Sequence, residues 1–174
     1  MRVHKIANCE DSLYNEFIEL YGTSFPIFEQ RTEAQQRSAF EDERYNLETY
    51  IEDDKFIGFI SYWEFDSYIY IEHLAINSSL RGEGYGSRLL REFAQRSGKM
   101  LLLEIDPIVD EISAKRLRFY EHNGFVANIH THRHPPYRES FEGHQLIVLT
   151  TEREIYKAEY EQFSSDLKEV VMAW

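Results

Sequence analysis

Cysteine is nearly absent: the 174 residues hold one, Cys9, so neither an intrachain disulfide nor a multi-thiolate zinc site can form. A lone thiol suits a reducing compartment, and the cytoplasm is the expected location. Cations are scarce as well, with 19 Lys and Arg against 31 Asp and Glu, for a formal charge of −12. Nucleic acid and anionic lipid surfaces are both held by cationic residues, so neither is an expected partner. Long apolar runs are missing: no window nears the roughly 18 uninterrupted apolar residues of a membrane helix. The first residues turn polar and acidic before any signal-type run develops. Only 4 Pro and 8 Gly are present, no linker, repeat or low-complexity tract stands out, and one domain over residues 1–174 is expected.

What is abundant is aromatic mass. Tyr 12, Phe 12 and Trp 2 make up 15% of the chain, enough apolar bulk to offset the entropy of ordering a core. Val3 to Ala7 reads as a short strand, and Leu13, Phe17, Leu20 and Tyr21 share one helical face. A polar helix is expected over Arg31 to Asp42. Asn46 to Glu52, Lys55 to Trp63 and Tyr68 to Ile76 are rich in β-branched and aromatic residues and are joined by short turns, which predicts an antiparallel meander. The helical pattern after Gly84 carries Leu89, Leu90 and Phe93. Met100 to Ile105 is a buried strand reached by that crossover, and Ile112 to His122 is a further helix. Two strands, Phe125 to His132 and Gln145 to Thr150, complete a mixed, mostly antiparallel α/β (α+β) sheet flanked by helices. Glu152 to Trp174 carries apolar residues at helical spacing and reads as an amphipathic terminal helix, packed on the sheet or presented to a partner.

Chemistry concentrates in Arg81-Gly82-Glu83-Gly84-Tyr85-Gly86, between a strand end and a helix start near Ser87. Glycines at alternate positions clear side chains from the turn, so backbone N–H groups can converge on an anion at the positive helix end, with Ser87 and Arg88 adding a hydroxyl and a charge. Pyrophosphate is a natural guest. The spacing Gly-x-Gly-x-Gly after a meander differs from the dinucleotide fingerprint, and Gly98-Lys99 is followed by Met100, which excludes a Walker loop.

With Leu74-Ala75-Ile76 before it and Tyr120-Glu121-His122-Asn123-Gly124-Phe125 after it, this turn resembles the GNAT superfamily of N-acetyltransferases over roughly residues 68–125. Arg81, Gly84 and Gly86 match that superfamily's Gln/Arg-x-x-Gly-x-Gly/Ala signature. The resemblance implies a GNAT fold and acetyl-CoA as cosubstrate. Leu74, Ala75 and Ile76 would pair with the pantetheine arm, and Arg81, Gly82, Glu83, Gly84, Tyr85, Gly86 and Ser87 would hold the pyrophosphate. Tyr120 is implied as the acid that protonates the departing sulfur. Its unperturbed pKa of about 10 keeps it protonated at neutral pH. Ser113 stands where many members place a pantetheine-binding Asn. The implied reaction is direct acetyl transfer to a primary amine, a cationic one being favoured by the net charge; an idle acetyl-CoA-binding regulatory module is the alternative. For the base, Glu72 shares a strand face with Tyr70 and Leu74 by the period of two, His73 faces away, Glu104 sits on the next strand, and bulk solvent remains a fourth option. His130, His132 and His134 alternate along one segment, but neighbours two apart on a strand diverge and no metal is expected. A monomer or homodimer is expected.

Overall fold

The computed structural model describes residues 1–174. The aromatic-rich centre forms a meander in which β1 (Arg2–Ile6), β2 (Tyr45–Glu52), β3 (Lys55–Glu64) and β4 (Tyr68–Ile76) are antiparallel neighbours. The β2–β3 turn places Asp53 and Asp54 in the left-handed region, at φ 50° and 59°, as a two-residue hairpin with primed geometry demands. The chain then crosses through α3 (Tyr85–Ser97) and returns as β5 (Met100–Ile105), parallel to β4. After α4 (Glu111–His122) come β6 (Phe125–Ala127), β7 (His132–His134) and β8 (His144–Thr151), and β8 pairs antiparallel with β5, β6 and β7.

Helices cover both faces of the sheet. On one side α1 (Tyr14–Ser24), α2 (Glu33–Phe40) and α5 (Lys157–Asp166) bury Phe17, Tyr21, Ala39 and Phe163 against Phe59, Trp63, Tyr68 and Tyr70. On the other, α3 contributes Leu89, Leu90 and Phe93, while Leu117, Phe119 and Tyr120 of α4 pack around Ile60, Ile69 and Leu103. The mixed, mostly antiparallel α/β arrangement expected from the sequence is the one observed.

Three details differ from expectation, each for a local reason. The strand expected over 125–132 breaks after Ala127, because the Asn128 side chain turns inward to donate to Thr150 Oγ1 and to accept from the Ile155 N–H. The terminal segment is not one helix. Its α-helical part ends at Asp166, and Leu167–Val171 widens into a π-type turn, closed by Met172 N–H on the Leu167 carbonyl at 2.9 Å, which brings Leu167 and Val171 onto the core. The third detail lies in β4. Ser61 pairs with His73 and Tyr62 with Ile71, so Glu72 has no residue opposite it. This β-bulge resets the alternation of side chains.

Candidate active site

The parallel pairing of β4 with β5 lasts only from Tyr68↔Met100 to Tyr70↔Leu102, although β4 runs on to Ile76 and β5 to Ile105. The two strands splay, and on that side the backbone groups of Leu74, Ala75 and Ile76 have no strand partner. Such a wedge accepts one more extended, amide-bearing chain. At its wide end the chain makes the glycine turn. Gly82 and Gly84 are left-handed at φ +83°, a conformation that favours glycine, and a Cβ at either would meet nothing within 4 Å. The turn is therefore an open seat. Gly84 is the N-cap of α3 with no side chain capping the first turn, which leaves its N–H groups directed outward.

The neighbours of this seat divide by role. Arg81, Gly82 and Glu83 are exposed, and Tyr85 is half-buried. Gly86 serves packing, since a Cβ there would lie 3.3 Å from Phe119 Cζ. Ser87 Oγ accepts from Asn123 Nδ2 at 3.1 Å. Arg88 is turned away from the seat, paired with Glu52 at 2.5 Å and with Glu92 at 3.4 Å, so its charge is already neutralised. Ser113 departs further from its expected role. It is buried at the start of α4, where its hydroxyl accepts from the N–H groups of Val109 and Asp110 and donates to Asp110 Oδ1 at 2.8 Å. Its one proton is committed to a capping box, which leaves none for a ligand.

Tyr120 packs edge-on to Phe119 and Phe125, in the cluster that also takes Leu74, Ile76 and Tyr85. Burial pushes its phenol up to about 12, and the Arg116 charge offsets this in part. A protonated phenol beside the wedge can act as an acid.

Glu72 is placed quite differently from a base. The bulge turns Glu72 and His73 toward the same face, that of Tyr70, and sends Leu74 to the other; strict alternation would have separated Glu72 from His73. The Glu72 carboxylate accepts from Arg31 Nη2 at 2.6 Å, Arg31 Nε at 2.9 Å and Trp63 Nε1 at 3.0 Å. Burial alone would raise it, but the Arg31 guanidinium, with help from His73, holds it well below the usual carboxylate range. A carboxylate so firmly ionised and shut in makes a poor proton acceptor. His73 donates its Nε2–H to the Glu29 carbonyl at 2.9 Å and sits edge-on to Tyr21 and Phe25.

Glu104 lies on β5 just beyond the last residue paired with β4. It accepts from the Tyr70 hydroxyl and lies 2.5 Å from His132 Nε2. His132 Nδ1 is in turn 2.9 Å from the Tyr160 hydroxyl. Burial raises the carboxyl, yet the adjoining His134 and His132 imidazoles and the Tyr70 hydroxyl outweigh it and hold Glu104 below its ordinary value. His130 is held apart, stacked on Tyr160 and bonded to the Ile155 carbonyl. No group of three His, Cys, Asp or Glu side chains is arranged to hold a metal ion. A lone carboxylate within the apolar run Met100–Ile105, with alternating histidines later in the chain, is the signal from which this cluster was legible; Arg31 offered none. Two surface hollows of about 200 and 580 Å³ flank Trp174 and include no residue of the glycine turn.

The model of the acetyltransferase (GNAT) family matches residues 11–125. The chain belongs to this family. A Bacteroides thetaiotaomicron structure classed in the GNAT family superimposes with a TM-score of 0.92 at 29% identity, covering 100% of this chain and 99% of that one. YjbC of Bacillus subtilis (strain 168), classed among acetyltransferases, is 30% identical over 103 residues, or 58% of this chain. The match spans about half, 52%, of YjbC's own length. An Elizabethkingia anophelis GNAT family acetyltransferase with acetyl-CoA bound shares the fold at a TM-score of 0.59 and 15% identity, covering 87% of this chain and 97% of that one. As in any GNAT protein, the fold itself does not select the acceptor. No helix is long and apolar enough to cross a membrane.

Proposed function

We propose that this GNAT protein moves the acetyl group of acetyl-CoA to a primary amine by direct transfer. The observation that carries the reading is the wedge between β4 and β5 leading to the open left-handed turn at Gly82 and Gly84. That geometry suits a ligand with an extended amide arm at one end and a pyrophosphate at the other. Leu74, Ala75 and Ile76 supply the strand edge, and Arg81 with the N–H groups of residues 82–87 supplies the anion seat.

Within this reading Tyr120 is the acid. The nitrogen of a neutral amine forms a bond to the thioester carbon, the carbon–sulfur bond breaks, and the sulfur takes the phenolic proton. The nitrogen's surplus proton makes good the loss at the phenol. Since burial pushes Tyr120 up to about 12, the acid form is fully populated at neutral pH. The net charge of −12 favours a cationic acceptor over an anionic one. The single thiol, Cys9, suits the cytoplasm as the place of reaction.

The test is Tyr120→Phe, followed by thiol release across an amine panel and by calorimetric titration with acetyl-CoA. Thiol release is expected to fall about 100-fold, with acetyl-CoA affinity within twofold of the parent. Equal loss of affinity and turnover would assign Tyr120 to packing. Tight acetyl-CoA binding without thiol release on any amine would favour a regulatory module instead.

A further inference from the structure

Glu104 and His134 face one another, with Oε1 4.0 Å from Nε2. His134 Nδ1 lies 2.6 Å from the Pro135 carbonyl oxygen. A carbonyl can only accept, so the ring proton is on Nδ1 and, in the neutral imidazole, Nε2 carries a lone pair. That Nε2 is buried and has no hydrogen-bond partner. It points at Glu104 Oε1, 4.0 Å away, which is too long for a direct bond. With His134 neutral, two acceptors face each other, and a donor that reached both would satisfy them. A single nitrogen about 2.9 Å from each spans such a gap with its two bonds about 90° apart, as two hydrogens of one ammonium can.

The surroundings hold this pair in place, its side chains 3% and 6% exposed. Tyr137 stacks on the His134 ring at 5.0 Å, and His132 and Tyr70 fix Glu104. Outward, His144 lies 5.9 Å from His134, ring to ring, and 4.0 Å from the Glu29 carboxylate. The His144 and Glu29 side chains are 26% and 24% exposed. Beyond them, Phe28 meets His144 at 5.8 Å and Phe141 at 5.9 Å, forming a half-exposed aromatic rim. Burial and the charge of Asp106 push the Glu29 carboxyl up, and His73 and Arg116 offset part of the rise.

Taking the acetyl-transfer reading as given, we propose that the gap between His134 Nε2 and Glu104 Oε1 is the seat of the acceptor's ammonium group, carried on a slender apolar or aromatic arm past Phe28, Phe141 and His144. One ammonium N–H donates to Glu104 and a second to His134, which takes that proton and frees the nitrogen's lone pair. Of the three ammonium protons, one leaves to solvent through His134, one replaces the proton that Tyr120 gives to sulfur, and one stays on the amide. Glu29 and Glu104 turn away an acceptor that carries its own carboxylate near the amine.

The experiment uses the full chain with 2-phenylethylamine, n-butylamine, 2-phenylethanol and phenylalanine as probes. In ¹⁵N spectra of the wild-type imidazoles with CoA present, the His134 Nε2 resonance is expected to move with 2-phenylethylamine and to stay fixed with 2-phenylethanol. With acetyl-CoA, kcat/KM for 2-phenylethylamine is expected to exceed that for phenylalanine at least tenfold. His134→Gln should lower it about 100-fold and leave acetyl-CoA affinity unchanged. The proposal is overturned if Nε2 is already protonated in the free protein, which would make the pair a long ion pair, or if an amine is acetylated without moving the His134 signal. It is equally overturned if acetyl-CoA binds but neither amine is turned over or shifts Nε2, the gap then holding water only. Failure of acetyl-CoA to bind the wild type would instead sink the acetyl-transfer reading itself.

Discussion

Replacing Arg31 by Met removes the only guanidinium in contact with Glu72 and keeps most of the side-chain volume. The pair is enclosed, with side chains 2% and 0% exposed. Arg31 also donates to the Val171 carbonyl at 2.9 Å and lies over Trp63, Tyr137 and Trp174 at 5.5–5.8 Å. After substitution, Glu72 keeps Trp63 Nε1 and the imidazole of His73 at 3.4 Å, too little to stabilise a buried anion. Breaking a buried pair from one side costs about 3–5 kcal/mol, against a total stability of roughly 5–15 kcal/mol for a domain. At roughly 2–4 °C per kcal/mol for a chain of this size, the melting temperature should drop by about 6–20 °C.

The pH dependence gives a sharper check. In the parent, Glu72 is depressed, so its contribution is complete above the ordinary carboxylate range and is lost only as pH falls through the lower folded value. In Arg31→Met, burial outweighs the remaining help from His73 and Trp63 Nε1, the folded carboxyl lies above its unfolded value, and the folded state binds the extra proton. Stability of the variant should therefore rise as pH is lowered from about 7 to about 5 while the parent's stays flat, narrowing the gap between them. Urea titrations of both proteins at several pH values measure this. The double variant Arg31→Met/Glu72→Gln should recover most of the loss, because no buried charge remains. A fall in melting temperature under 2 °C with no pH trend would refute the ion pair as a keystone of the fold.

Other substitutions separate packing from binding. Ser113→Ala removes the N3 hydroxyl that completes the capping box with Asp110 at the start of α4 and should cost about 1 kcal/mol in a denaturant titration; acetyl-CoA affinity should not change, and a tenfold loss would restore Ser113 to the binding site. Gly84→Glu places a side chain at φ +83° and a negative charge in the anion seat, so calorimetry should show at least tenfold weaker acetyl-CoA binding. Unchanged affinity would mean the pyrophosphate lies elsewhere. Gly58→Ala would drive a Cβ to 2.3 Å from the Ala75 carbonyl oxygen, across the β3–β4 pair; a destabilisation of about 3 kcal/mol is expected, and a stable variant would show that the strands can part there.

The sheet was legible because its residues speak locally. Tyr68 to Ile76 and Met100 to Ile105 match β4 and β5 end to end, since aromatic and β-branched residues suit a pleated surface and Asp106-Pro107 closes the second run. The glycine turn was legible for the same reason. What could not be read were long-range pairings. The bulge at Glu72 depends on the register of β3, so counting by twos put His73 on the wrong face. Arg31 lies 41 positions from Glu72, and nothing in its local sequence distinguishes it from a solvated arginine. Ser113 matched a family position, but its neighbour Asp110 claimed its hydroxyl for the helix start.

The splay of β4 from β5 gives the protein an edge in the middle of its sheet. Beyond Tyr70, β4 is paired with β3 alone, and β5 is held on its far side by β8. The wedge cannot zip shut without dragging one of those ladders along, so it stands open before anything enters it. Hydrogen exchange should record this as a split by parity along one strand. Between His73 and Ile76, past the bulge, amides that point to β3 are shielded, whereas the alternate ones exchange rapidly into deuterium oxide until an extended ligand closes the row.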